Sequence, residues 1–194
     1  LVHYPHDRYI VELADELGLM VTEEPGDWQV EFPEMPRAMG EWGGRSREKT
    51  IRRDWNSPSV IAWLLGNESR FTAAYLREGK AMCRRLDPWQ RLVSAANSSP
   101  KEKAKPIFVE SEMDFFDDHP YTFDIEEFEK IATYYGSSRP LTFTEWGGKE
   151  IGQSPQVMPH SVDMILELQE RQALAGTVFW SWQDLPQYTR IDPE

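Results

Sequence analysis

The stretch Asn56-Ser57-Pro58-Ser59-Val60-Ile61-Ala62-Trp63-Leu64-Leu65-Gly66-Asn67-Glu68-Ser69 decides how the rest of the chain is read. An Asn-Ser-Pro turn signal leads into a run that is apolar after Ser59 and ends at a glycine, followed by an amide and a carboxylate. A short continuous apolar run bounded by turn signals predicts a strand buried on both faces, as in a parallel sheet covered by helices. In parallel α/β architectures the chemistry gathers at the carboxyl ends of the strands. Asn67 and Glu68 emerge where this run stops, which makes them candidate site residues.

A second stretch has the same grammar. Pro140-Leu141-Thr142-Phe143-Thr144-Glu145-Trp146-Gly147-Gly148 runs from a breaker through a β-rich segment to a carboxylate backed by glycines. Two glutamates at the ends of two buried strands, far apart in sequence, are the pair that glycoside hydrolysis uses. One protonates the departing oxygen; the other attacks, or stabilises, an oxocarbenium-like centre.

Composition narrows the field. A chain of 194 residues holds one sizeable core and is read as a single domain, 1–194. Its apolar fraction of 40% and mean hydropathy of -0.61 describe an ordinary globular protein. No run is long enough to cross a bilayer, and no signal peptide opens the chain; the compartment stays open. A formal charge of -12 argues against nucleic acid as a partner, because phosphate binding needs clustered Lys and Arg in excess. The lone cysteine, Cys83, can make no intrachain disulfide and reads as a small buried hydrophobe. The eight Trp, seven Tyr and nine Phe fit sugar-stacking faces and fit core packing equally well.

Along the chain, Asp7 caps a helix that Gly18 stops, and Leu19 to Pro25 reads as a buried strand ending in carboxylates. Gly26 to Gly44 has no clear period and reads as a long cleft-shaping loop. A short Arg-rich helix (Ser46 to Trp55) precedes the Glu68 strand, and a helix from Thr72 to Leu86 follows it. Arg91 to Ala96 is a short strand, leading through Pro100 into a Lys-rich exposed segment. Met113 to Asp117 is a weaker strand. A helix runs from Asp124 to Tyr135, then come the Glu145 strand, a helix over about 161–173 and a last strand from Thr177. Strand and helix alternate throughout, which predicts a parallel sheet with helical crossovers. Six strands and a stub at residues 1–2 fall short of a closed eight-stranded barrel, which takes about 250 residues.

The ordered set His3-Tyr4-Pro5, Asn56-Ser57-Pro58-Ser59-Val60, Gly66-Asn67-Glu68-Ser69, Thr144-Glu145-Trp146-Gly147 and Phe179-Trp180-Ser181-Trp182-Gln183-Asp184 resembles the catalytic domain of glycoside hydrolase family 2, which holds β-galactosidases, β-glucuronidases and β-mannosidases. The likeness spans essentially the whole chain. It implies a (β/α)8 TIM barrel, incomplete at its N-terminus, with the first barrel strand and most of the second absent from these residues. It implies a retaining β-glycosidase acting on terminal β-linked sugars of β-glycosides or oligosaccharides. By the same resemblance Glu68 is the acid/base, Glu145 the nucleophile, and Asn67 a partner of the sugar 2-hydroxyl. His3 lines the glycone subsite, Tyr121 hydrogen-bonds the nucleophile, and Trp180 and Trp182 floor the pocket. Glu68 must then start protonated and Glu145 ionised.

Departures from the family pattern set further expectations. Members with a magnesium site carry Glu and His in the loop after the third barrel strand; Glu24-Pro25-Gly26-Asp27-Trp28 lacks the His, so neither metal nor other cofactor is expected. The N-terminal β-sandwich domains usual in the family are expected outside these residues, or a partner chain to complete the barrel. An inactive carbohydrate-binding barrel is the alternative to an enzyme. Several site assignments carry a plain structural alternative. Glu24 either holds the glycone or pairs with an arginine, and His119 and Tyr121 either serve the site or simply fill core and turn positions. Trp28, Trp42 and Trp146 read equally as sugar platforms and as loop anchors, and one of Trp180 and Trp182 is expected to be pure packing.

Overall fold

In the computed structural model, residues 1–25, 27–30, 37–147, 157–171 and 173–180 are described, the side chains of 37–43, 157 and 158 excepted. Among the described residues, helix and strand alternate from the first helix to the last strand. The chain divides into two compact units, Leu1–Asp117 and Asp118–Glu194.

The first unit is built on β1 (Val21–Glu23), β2 (Val60–Asn67) and β3 (Leu92–Ala96), side by side in that order and parallel at both pairings. β2 shows why its sequence does not alternate. Trp63, Leu64 and Leu65 are all at most 1% exposed, so both faces are covered, and each such side chain contributes about 1.5–3 kcal/mol by leaving water. The Trp63 indole N–H is satisfied by Asp87 Oδ2 at 2.9 Å.

Around this sheet lie α1 (Arg8–Leu17), α2 (Arg37–Asp54), α3 (Ala73–Leu86) and α4 (Lys101–Glu110). α1 starts at Asp7, whose carboxylate accepts from the Tyr9 amide, and ends at Gly18 in the left-handed region, as the sequence predicts. α3 lies close on β2 at Gly79, where a Cβ would stand 2.8 Å from Leu65 Cδ1. On its inner side Cys83 is 1% exposed, and burial pushes its thiol up to about 12. This is a packed hydrophobe, not a reactive thiolate.

Several elements differ from the sequence reading. α2 begins at Arg37 where a loop to Gly44 is expected. The glycines of that stretch each cost about 1 kcal/mol against Ala in a helix, so propensity hides an element whose second half is held by buried Arg47 and Ile51. The Lys-rich segment after Pro100 is the helix α4, with Ala104 and Phe108 buried one turn apart and Pro106 accommodated inside it. The helix expected over 161–173 is α6 (Val157–Glu170). Residues 1–2 form no strand, although the Leu1 nitrogen donates to Thr22 O at 2.7 Å.

β4 (Phe116–Asp117) closes the first unit beside β3, where Ser94 Oγ donates to Phe115 O at 2.7 Å. In the second unit β5 (Leu141–Trp146) and β6 (Gly176–Phe179) pair in parallel. They are flanked by α5 (Ile125–Tyr135), capped by Asp124 and stopped at Gly136, and by α6. The core there is aromatic, with the Phe128 and Phe143 rings 5.7 Å apart. Among the described residues, no helix is long and apolar enough to cross a membrane.

Glu23 at the end of β1 and Asp54 at the end of α2 form a buried acidic pair. Glu23 is fully buried and Asp54 is 1% exposed, with Arg53 reaching Asp54 Oδ2 at 2.6 Å and Glu23 Oε1 at 3.2 Å. Burial first, then the Asp54 charge, raise the Glu23 pKa to about 8. The folded chain therefore keeps a proton that the unfolded chain gives up above pH ~4.5. Stability from this group is fully present at lower pH and is lost as pH rises toward 8, with a slope of at most about 1.4 kcal/mol per pH unit. Urea titrations at pH 5, 6.5 and 8 should show that decline, and a Glu23→Gln variant should flatten it; an equal decline in the variant would remove Glu23 as the cause.

Candidate active site

The first cluster forms where β1 and β2 end. Asn67, fully buried, donates through Nδ2 to Glu24 Oε1 at 3.3 Å. The other Glu24 oxygen lies 3.6 Å from His3 Nδ1, and Glu24 itself is 1% exposed. The His3 ring stacks on Trp28 with centroids 5.0 Å apart and planes 5° from parallel. The structure thus brings together His3, Glu24 and Asn67, three residues singled out from sequence. Glu24 faces the amide and the imidazole, whereas its neighbour Glu23 takes the arginine.

Glu68 follows, half-buried and with φ of 46°, a conformation uncommon for a residue with a Cβ. Its amide donates to Ala96 O at 2.9 Å, which ties the turn to β3, and its Oε2 accepts from Gln29 Nε2 at 3.2 Å. Gln29 is a contact the sequence reading does not single out. It sits in the loop after β1, read only as a cleft-shaping segment, and the carboxylates just before it are the one local signal.

That loop is held close. Asp27 O accepts from the Asn67 amide at 2.7 Å and the Gln29 amide donates to Asn67 O at 2.9 Å. A Cβ on Gly66 would stand 2.8 Å from Asp27 O, so the glycine of Gly66-Asn67-Glu68 is required by close approach of backbone.

The second cluster lies in the other unit, at the end of β5. Glu145 is 2% exposed and its Oε2 accepts a short hydrogen bond from the Tyr121 hydroxyl. The same oxygen is 3.7 Å from His119 Nδ1, and His119 Nε2 is 3.0 Å from Thr144 Oγ1. His119 and Tyr121 therefore both meet Glu145. Tyr121 is 47% exposed, so its ring has an open face, whereas His119 is buried. Trp146 points the other way, 4% exposed and edge-on to Phe128 and Phe179. Trp180 is half-buried, its amide donating to Trp146 O at 2.9 Å. Trp182 lies outside the described residues, as does the Trp42 side chain.

Parallel strands alternating with helices, carboxylates at strand ends, an Asn-Glu pair in the first unit and a buried glutamate in the second are the features of a chain of the TIM-barrel glycosidase type. The family model for glycosyl hydrolases family 2, TIM barrel domain, matches residues 1–192, and the chain belongs to that family. Among curated relatives, it is 41% identical over 80 residues to a β-galactosidase of Bifidobacterium adolescentis, covering 34% of this chain and 8% of the relative. It is 26% identical over 210 aligned positions to the β-glucuronidase of Sus scrofa, covering 94% of this chain and 32% of the relative. The chain therefore spans a third or less of the length of these relatives. Among solved structures, a β-glucuronidase from Ruminococcus gnavus in complex with D-glucaro 1,5-lactone superposes with a TM-score of 0.78 at 21% identity, over 94% of this chain and 36% of that one. A β-galacturonidase from Eisenbergiella tayi gives 0.76 at 19% identity, over 93% and 36%. At such identities these two likenesses concern the fold.

Proposed function

We propose that this chain is the catalytic barrel of a retaining β-glycosidase, with Glu145 as nucleophile and Glu68 as acid/base. The observation that carries the reading is the contrast between the two carboxyl groups. Glu145 is buried and receives a phenolic O–H, and a donor on a carboxylate oxygen favours the ionised form that a nucleophile needs. Glu68 is half-buried and meets the neutral Gln29 amide at the sharp turn after β2. Two carboxyl groups in unlike surroundings are how one site separates an acid from a base.

The reaction follows from those roles. A Glu145 oxygen attacks the anomeric carbon while the bond to the aglycone breaks, and the Glu68 proton goes to the departing oxygen. The Glu68 carboxylate then takes a proton from water, whose oxygen attacks the same carbon and releases Glu145. Two inversions give net retention, and the chemistry requires the carboxyl groups ~5–5.5 Å apart about one sugar carbon. Asn67 is assigned to the sugar 2-hydroxyl and His3 and Glu24 to the glycone. A barrel completed by further domains or by a second chain belongs to the same reading.

A panel of nitrophenyl β-galactoside, β-glucuronide, β-mannoside and β-glucoside tests it, with the anomer released followed by NMR. At least one should be cleaved with the β-anomer appearing first. First appearance of the α-anomer would replace retention by inversion. Sugar binding with no cleavage of any member would replace the enzyme by a carbohydrate-binding barrel.

A further inference from the structure

We infer that Gln29 is a positioning residue for Glu68, held in place by the segment 27–30 running alongside 67–70. The inference rests on the reading of Glu68 as the acid/base. The two segments are stitched beyond the Asp27–Asn67–Gln29 bonds already described: the Val30 amide donates to Ser69 Oγ at 3.0 Å, and the Arg70 amide to Val30 O at 2.9 Å. Trp28 and Asn67 form a parallel bridge between them. Gln29 and Glu68 both occupy the left-handed region, with φ of 51° and 46°. Residues with a Cβ persist there when the surroundings over-determine them, and such positions cluster at functional sites. Here the paired strain turns the two side chains toward each other, and the amide of one donates to a carboxylate oxygen of the other at 3.2 Å.

An amide donor has a specific consequence for an acid/base. It fixes one carboxyl oxygen and thereby the orientation of the whole carboxyl group. It stabilises the anion formed as that proton leaves without introducing the charge that a lysine or arginine would bring. Gln29 thereby adjusts both the aim of Glu68 and the ease with which it gives up its proton.

The test replaces Gln29 by Met, similar in length but without a donor, and by Lys, a cationic donor, in the full-length polypeptide. Glu68 is titrated by carboxyl-carbon NMR and assigned by its loss in Glu68→Gln. The Glu68 midpoint should rise by about half to one unit in Gln29→Met and fall below the parent in Gln29→Lys. In parallel, Gln29→Met should cleave phenyl glycosides several-fold more slowly and dinitrophenyl glycosides at the parent rate, because the latter leaving group needs no proton. Unchanged midpoints in both variants, or equal slowing of both substrates, would overturn the proposal. Midpoints that move as stated in a polypeptide that cleaves no glycoside would keep the Gln29–Glu68 coupling and sink the glycosidase reading instead.

Discussion

A Glu145→Gln variant of the full-length polypeptide should lose hydrolysis of aryl β-glycosides by a factor on the order of a thousand or more, as expected for loss of a covalent nucleophile, and should still bind the sugar. The amide keeps the shape of the side chain and its contact with Tyr121, so the loss reports nucleophilicity and not packing. Azide tells the two glutamates apart. In Glu68→Ala a dinitrophenyl leaving group departs unaided and the Glu145 ester forms, but no base remains to activate water. Azide ion needs no base; it attacks the ester from the opposite face and gives the β-glycosyl azide. In Glu145→Ala azide enters where the carboxylate stood, displaces the aglycone once, and gives the α-azide. The reverse pair of products would exchange the two roles. Parent rates in both variants would remove these residues from catalysis altogether.

How much of this was legible in the sequence depended on how local each signal was. Glu68 and Glu145 stand out because an apolar run, a breaker and a terminal carboxylate sit within a dozen residues, and the buried faces of β2 and β5 explain that grammar. The α1, α3 and α5 boundaries were equally local, written by Asp7, Thr72 and Asp124 as caps and by Gly18 and Gly136 as stops. Failures came where distant contacts outweigh local preference. α2 starts inside a glycine-rich stretch because its far half is anchored by Arg47, and α4 tolerates Pro106 because Ala104 and Phe108 are buried. Glu24 showed no sign in sequence of its tie to Asn67, 43 residues away, and Gln29 none of its tie to Glu68. The direction of Trp146 was open for the same reason: alternation along β5 says that Glu145 and Trp146 face opposite ways, but only the aromatic neighbours say which way is the core.

The largest expected loss of stability belongs to Arg47. Its guanidinium, 4% exposed, donates to Asp27 Oδ2 at 2.8 Å and to Leu65 O at 3.2 Å and lies 4.9 Å from the centre of the Tyr75 ring. The Tyr75 hydroxyl donates a short hydrogen bond to the same Asp27 oxygen, and burial raises its pKa above the ordinary phenol range, so it stays a neutral donor. An Arg47→Met change would leave the Asp27 carboxylate, 6% exposed, buried without the guanidinium that it pairs with. Removing one partner of a buried pair costs about 3–5 kcal/mol, whereas replacing both by apolar groups is often close to neutral. Arg47→Met combined with Asp27→Leu should therefore recover much of the single variant's loss in urea unfolding. The same comparison reaches the site, because Asp27 is where the 27–30 segment is pinned beside Asn67. With that pin gone, Gln29 should lose its hold on Glu68, and cleavage of phenyl glycosides should fall further than that of dinitrophenyl glycosides. A single variant within about 1 kcal/mol of the parent, the worth of a surface pair, would mean that water reaches Asp27 and that the loop is fixed by its backbone bonds alone.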